Sequence, residues 1–273
     1  MNRGDYKRSL KLPASEELLD IVFYRPAAFL LVKVIAPLPV TPNQVTMLSL
    51  AAGLAAAYAF SSGTPAGFTW GALFYLFANI LDCADGQLAR LQKSGTVLGR
   101  VVDGAADYCS GIAIFIGLAI GLASSGAGTW WLVVFAGISS GVHAMFFDRY
   151  QTEFISSAAG ETDFIGGEIA RFEAEIARLP SVGTGAARIC LLQCYMAYMR
   201  VQKRFRPAKS PPAPGVLPAN RVLMIRIWSL LGPTTNRTLL IVCALVGRID
   251  VYLWSVAVAG NAWLLAASLL QAR

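Results

Sequence analysis

Apolar residues in this chain fall into long blocks separated by short polar turns. The first block runs from about Val45 to Phe60 and the second from about Phe68 through Ile80. The third starts near Gly99 and proceeds through GIAIFIGLAIGLA, and the fourth runs from about Trp130 to Phe147. Two more follow, about Thr235 to Val246 and Tyr252 to Leu270. A bilayer core takes about 20 helical residues to cross, and these blocks approach that length while carrying almost no charge. The pattern predicts an all-α polytopic membrane protein with six transmembrane helices, the fifth short unless it begins near Leu230.

The stretches between the blocks have their own patterns. Residues 15–39 place Glu16, Glu17 and Asp20 ahead of an apolar run interrupted by Arg25-Pro26 and Lys33, which suits an interfacial helix better than a span. Thr41-Pro42-Asn43-Gln44 is a helix start, with a Thr N-cap, Pro at the first helical position and Gln at the third. From Asp148 to about Gly232 the blocks give way to a long cytosolic helical insertion before the fifth span. Within it Ile169, Phe172, Ile176 and Leu179 recur at helical spacing, RPAKSPPAPGVLPAN from Arg206 is a proline-rich link, and Arg221 to Gly232 is again amphipathic. The chain reads as a single domain, 1–273, with 1–43 a cytosolic or interfacial amino-terminal segment and 148–232 an insertion.

Composition narrows the class. Of 273 residues 56% are hydrophobic and only 14% charged, too apolar for an ordinary soluble domain. The five cysteines form neither a disulfide framework nor a metal-ligand spacing, and Cys190 and Cys194 read as one helix face. The first twenty residues lack the apolar core of a removable signal peptide. Basic residues fall on one side of the predicted topology: six before Asn43, three between 82 and 100, and 11 of the 23 in 148–232, whereas the turns SSGTPAG and SSGAG have none. The positive-inside rule then puts both termini and the long insertion in the cytosol. Membrane-surface anchoring explains this basic region, and headgroup selection by Arg149, Arg200, Arg204 or Arg226 is the sharper alternative.

Against that background four carboxylates stand out. Asp82, Asp85, Asp103 and Asp107 are the only acidic residues between Gln44 and Phe147. The first two are three apart and the last two four apart, so each pair shares a face of its helix, at the same membrane side. An intramembrane carboxylate costs about 2.5–3.5 kcal/mol on insertion scales, and four together repel, so a cation must compensate. Pairing with Arg90 and Arg100 would account for two of them. An all-oxygen set without histidine or thiolate favours a hard divalent ion, Mg²⁺, Mn²⁺ or Ca²⁺, over zinc, and four carboxylates have room for two ions. Small residues at Gly86, Ala89 and Gly99 leave space for a ligand to approach backbone, and Arg90 suits phosphate oxygens. His143, the single histidine, reads as packed, while Asn236 and Asn261 suit interhelical hydrogen bonds.

The order Asp82-x2-Asp85-Gly86-x2-Ala89-Arg90-x8-Gly99-x3-Asp103-x3-Asp107 resembles at every position the signature of the CDP-alcohol phosphotransferase family of integral membrane enzymes. The resemblance implies transfer of a substituted phosphate from a CDP-linked donor, either CDP-diacylglycerol or a CDP-polar alcohol, to an acceptor hydroxyl with release of CMP. One of the two substrates is then a lipid. It also implies metal ligation by Asp82, Asp85, Asp103 and Asp107, with Asp107 as general base. Asp82, Gly86, Ala89, Arg90 and Gly99 would line the CDP pocket, and the protein would work as a homodimer without nucleic acid. Two other classes gather aspartates in a membrane. A cation transporter would need acidic residues deeper along a path, and the first four blocks have none. Mg²⁺-dependent membrane prenyltransferases lack the Gly-x2-Ala-Arg element.

Overall fold

The computed structural model describes residues 3–11, 15–124, 126, 129–159, 164–178, 184–204 and 219–272. Among these every regular element is helical: α1 Arg3–Ser9, α2 Arg25–Ile35, α3 Pro42–Ser61, α4 Pro65–Gln92, α5 Val97–Ser124, α6 Trp130–Ala159, α7 Phe164–Ile176, α8 Thr184–Arg204, α9 Ala219–Ser229, α10 Pro233–Leu245, α11 Ile249–Trp254 and α12 Asn261–Ala272. Wider π-type turns at Asp20–Tyr24 and Ser255–Gly260 lead into α2 and join α11 to α12. The first of these lets the chain pass Arg25-Pro26 as helix, because the wider turn tolerates the missing proline N–H.

Helix α3 is the centre of the bundle. Its start is the capping box read from the sequence: the Thr41 hydroxyl accepts the Gln44 N–H, and the Gln44 side chain accepts the Thr41 N–H at 2.8 Å. Its small residues, Ser49, Ala52, Gly53, Ala56 and Ala57, are buried and let two neighbours come close. On one side the Ser49 hydroxyl donates to the Ala78 carbonyl of α4 at 2.9 Å. On the other, a Cβ on Gly117 or Gly121 of α5 would collide with the carbonyl oxygens of Ala57 and Phe60. Helices α4 and α5 therefore both lie against α3, and their polar ends meet beside its first turns.

Among the described residues four helical stretches are long and apolar enough to cross a membrane: Pro42–Ser61, Leu98–Ser124, Trp130–Ile155 and Ile249–Gln271. The outward row Ile112, Ile116 and Ile120 of α5, four residues apart, is exposed as a lipid-facing surface would be. Of the other two expected spans, α4 is 28 residues long but ends in Asp82, Asp85 and Arg90, and α10 has 13 residues, about 20 Å of helix. The six-span expectation is thus met at four positions by length and composition.

Helix α6, the fourth expected span, outruns its expected end near Phe147 and continues to Ala159. Phe147 and Phe154 are buried with Ile225, Trp228 and Leu231, so packing against α9 extends the helix past its charged residues. In the insertion, Phe172 of α7 joins Leu192, Met196 and Met199 of α8 over Val101 of α5, and Arg100 pairs with Glu168 at 2.9 Å. Leu179 and most of the proline-rich link lie outside the described residues. His143 is buried against Asn261, which also donates to the Ser139 hydroxyl at 2.9 Å, and Tyr252 donates to Asn236 at 2.8 Å, so both asparagines bridge helices.

Substituting Gly117→Ala should cost about 1–3 kcal/mol, read as a lower melting temperature in detergent, because the added methyl meets backbone that cannot yield. The same change at Gly111, which has nothing within 4 Å, should leave the melt unchanged.

Candidate functional site

Helix α4 continues well past its apolar block and carries Asp82 and Asp85 on one face before ending at Gln92. Lys93, at φ 53°, stops it in the left-handed conformation, its N–H directed at the carbonyls of Ala89 and Arg90. Helix α5 returns from Val97 with Asp103 and Asp107 in its second and third turns. One oxygen from each of Asp82, Asp85 and Asp103 lies within 4.8 Å of the others. Two side chains from neighbouring helices position these carboxylates. The Thr46 hydroxyl of α3 donates to Asp85 at 2.5 Å, and Asp107 accepts from Arg237 of α10 at 2.9 Å.

Arg237 is the residue that the sequence reading passed over. Its guanidinium reaches Asp107, lies 3.6 Å from Asp82 and donates to Asn79 at 3.0 Å, so one cation spans both carboxylate-bearing helices. The signal was present: Arg237 is the single charged residue between Arg226 and Arg248, within an otherwise apolar block. The arginines expected as alternative partners go elsewhere. Arg100 pairs with Glu168, and Arg90 donates through Nε to the Ser9 carbonyl.

Asp107 is set apart from the other three. It lies one turn further along α5, its side chain 37% exposed, beside a cavity of about 310 Å³. Gly104, Tyr108 and Asp148 line that cavity with Tyr195 and Tyr198 of α8, where Tyr198 donates to Asp148 at 3.0 Å. Gly86, Ala89, Arg90 and Gly99 are not among the residues that line this cavity. A Cβ on Gly86 would sit 3.4 Å from the Arg90 guanidinium, and one on Gly99 would sit 3.3 Å from the Asn43 side chain.

The buried atoms without partners around the carboxylates include Oδ1 of Asp103 and Nη2 of Arg90. A buried polar atom without a partner costs about 1–3 kcal/mol. An oxygen orphaned inside a three-carboxylate group is what a hard divalent ion would satisfy, and an orphaned guanidinium nitrogen nearby is what a phosphate oxygen would satisfy. The donor set fits such an ion.

These features define an all-helical membrane protein with a carboxylate cluster of the metal-binding type at the polar ends of α4 and α5. Residues 39–157, which carry all four aspartates, match the model of the CDP-alcohol phosphatidyltransferase family. Over 112 residues the chain is 35% identical to phosphatidylinositol phosphate synthase of Corynebacterium glutamicum, covering 41% of this chain and 44% of that one. Over 95 residues it is 34% identical to a putative cardiolipin synthase of Mycobacterium tuberculosis, covering 34% and 42%. The chain thus spans less than half the length of the relatives it matches. A crystal structure of Mycobacterium tuberculosis phosphatidylinositol phosphate synthase with CDP-DAG bound aligns at 20% identity and a TM-score of 0.37, over 84% of this chain and 94% of that one.

Replacing Arg237 with Met should destabilise the protein by about 1–3 kcal/mol in EDTA, since it strands Asp82 and Asp107 in a partly exposed site. Adding millimolar Mg²⁺ should raise the melting temperature of this variant more than that of the wild type. An equal rise in both would show that Arg237 does not neutralise the cluster.

Proposed function

We propose that the protein transfers a substituted phosphate from a CDP-linked lipid to an acceptor hydroxyl, with release of CMP. The observation that carries the reading is the gathering of Asp82, Asp85 and Asp103 within 4.8 Å of one another, with Asp107 at the edge of a cavity. In-line displacement needs the leaving group and the attacking oxygen on opposite sides of the phosphorus, so the CDP portion would lie away from that cavity. Gly86, Ala89, Arg90 and Gly99, with Asp82, would receive the CDP portion. Arg90 would offer its unpartnered Nη2 to a phosphate oxygen.

Asp82, Asp85 and Asp103, completed by Asp107, would hold Mg²⁺ or Mn²⁺, as a pair. Bound there, such ions supply charge neutralisation for the diphosphate and polarise the phosphoryl group. The cavity would seat the acceptor, with Asp107 at its edge accepting the hydroxyl proton as the acceptor oxygen bonds to phosphorus and the bond from phosphorus to the CMP oxygen breaks. Tyr195 and Tyr198 bring the α7–α8 insertion into the acceptor side, so acceptor choice would depend on a segment outside the motif.

In the membrane we infer that α4 and α10 also cross, giving six spans, and that the helix through α2 lies along the surface. The site and both termini would face the cytosol, where CDP-linked donors are made, and the enzyme would work as a homodimer.

Purified protein given CDP-diacylglycerol and a panel of alcohol acceptors should release CMP only with Mg²⁺ or Mn²⁺. Asp82→Asn or Asp107→Asn should lower that rate at least about 10³-fold while leaving the melt within a few degrees. Full activity in either variant, or in EDTA, would overturn the reading.

A further inference from the structure

Arg237 reaches the carboxylates from α10, and what fixes α10 lies outside both the motif and the segment matched to the family. Glu17, 2% exposed, accepts the Thr234 N–H on one carboxylate oxygen at 3.0 Å. Its other oxygen accepts the Thr235 N–H at 2.8 Å and the Thr235 hydroxyl at 2.7 Å. These residues follow Pro233 in the first turn of α10, so the carboxylate satisfies two N–H groups that the helix leaves open, at the positive end of its dipole.

Two further rungs continue the contact. The Thr234 hydroxyl donates to Asp20 at 3.0 Å, and the hydroxyls of Tyr24 and Thr238 share a hydrogen bond of 2.9 Å. Glu17, Asp20 and Tyr24 follow at helical spacing and face Thr234, Thr235 and Thr238 on α10. Gly232 completes the fit, because a Cβ there would collide with the Glu17 carboxylate. Arg237 leaves α10 between the Thr235 and Thr238 rungs.

We propose that Glu17, with Asp20 and Tyr24, is a positioning residue that sets the register of α10 and thereby holds Arg237 against Asp82 and Asp107. The inference rests on the transfer reading only where it assigns Arg237 to the working site.

A carboxylate is a costly choice for this place, which sets the role apart from plain stabilisation. Burial, and next the charge of Asp20, push the Glu17 carboxyl up to about 7. The nearby Glu16 is engaged by Arg25 at 3.4 Å and by the Lys11 N–H at 3.1 Å, and its carbonyl accepts from Arg226 at 2.8 Å. Because the folded value lies above that of the unfolded chain, the Glu17 contribution to stability is full below about pH 4.5 and is lost as pH rises through about 7. The seam behaves in the opposite sense. Only the ionised carboxylate has both oxygens free to accept, so the seam is complete above about pH 7 and loosens below it.

Glu17→Gln in the full chain separates the two. It removes a buried charge but turns one acceptor into a donor that faces N–H groups. At pH 8 its melting temperature should equal or exceed that of the wild type. Its kcat for Mg²⁺-dependent CMP release should fall about 10–100-fold with KM for CDP-diacylglycerol nearly constant, as misplacement of an active-site group would give. The amides of 234–238 should exchange with deuterium faster. Gly232→Ala, which displaces the same carboxylate, should lower kcat similarly, and the double variant should be no worse than either single one. Wild-type kcat and pH profile in Glu17→Gln, or loss of activity only in proportion to loss of folded protein, would overturn the proposal. Should the wild type itself release no CMP, the transfer reading falls. The seam is then decided by exchange, where wild-type rates at 234–238 in Glu17→Gln would overturn it.

Discussion

Carboxylates crowded at the end of a membrane helix bundle repel one another and resist leaving water, and the rest of this structure answers that constraint. Asp82, Asp85 and Asp103 approach within 4.8 Å although α4 and α5 are separated along most of their length by α3. The compensation that the protein itself supplies is unequal: a hydroxyl from Thr46 on Asp85, a guanidinium from Arg237 on Asp107 and near Asp82, and nothing for one oxygen of Asp103. Among the described residues Arg237 is the one arginine ion-paired with these carboxylates, which leaves the cluster short of positive charge, as the proposed divalent ions would require.

Everything that brings the aspartates together is remote from them. Small residues along α3 allow α4 and α5 to approach it at backbone distance, and that closeness aligns the polar ends. On the opposite flank the amino-terminal segment grips α10 and so carries Arg237 into place. The insertion adds α8 as a wall over Asp107 and Tyr108. Three parts of the chain far apart in sequence thus converge on the 26-residue motif.

How much of this could be read from the sequence depends on how local the cause is. The N-cap at Thr41, the helices around 45–60 and 130–147 and the shared faces of the aspartate pairs follow from spacing and capping, and the structure has them. The grouping of Asp82, Asp85 and Asp103 was legible because isolated charges in apolar blocks need one another or a common partner. Arg237 and Thr46 were less so, since a polar side chain inside a span announces itself but not its partner across the bundle. The bonds from Glu17 to Thr234 and Thr235 span more than two hundred residues and have no local signature. The run of α6 to Ala159 was hidden because Phe147 and Phe154 find their apolar partners only in α9.

The central claim is that the three-carboxylate group grips divalent ions against a nucleotide's phosphates. Crystals grown with Mn²⁺ and CDP, measured at the manganese absorption edge, test it directly. The account predicts anomalous density about 2.2 Å from oxygens of Asp82, Asp85 and Asp103, with the diphosphate on the side of Gly86 and Arg90. Bound nucleotide with no anomalous density between those side chains, or manganese bound elsewhere in the protein, would contradict it.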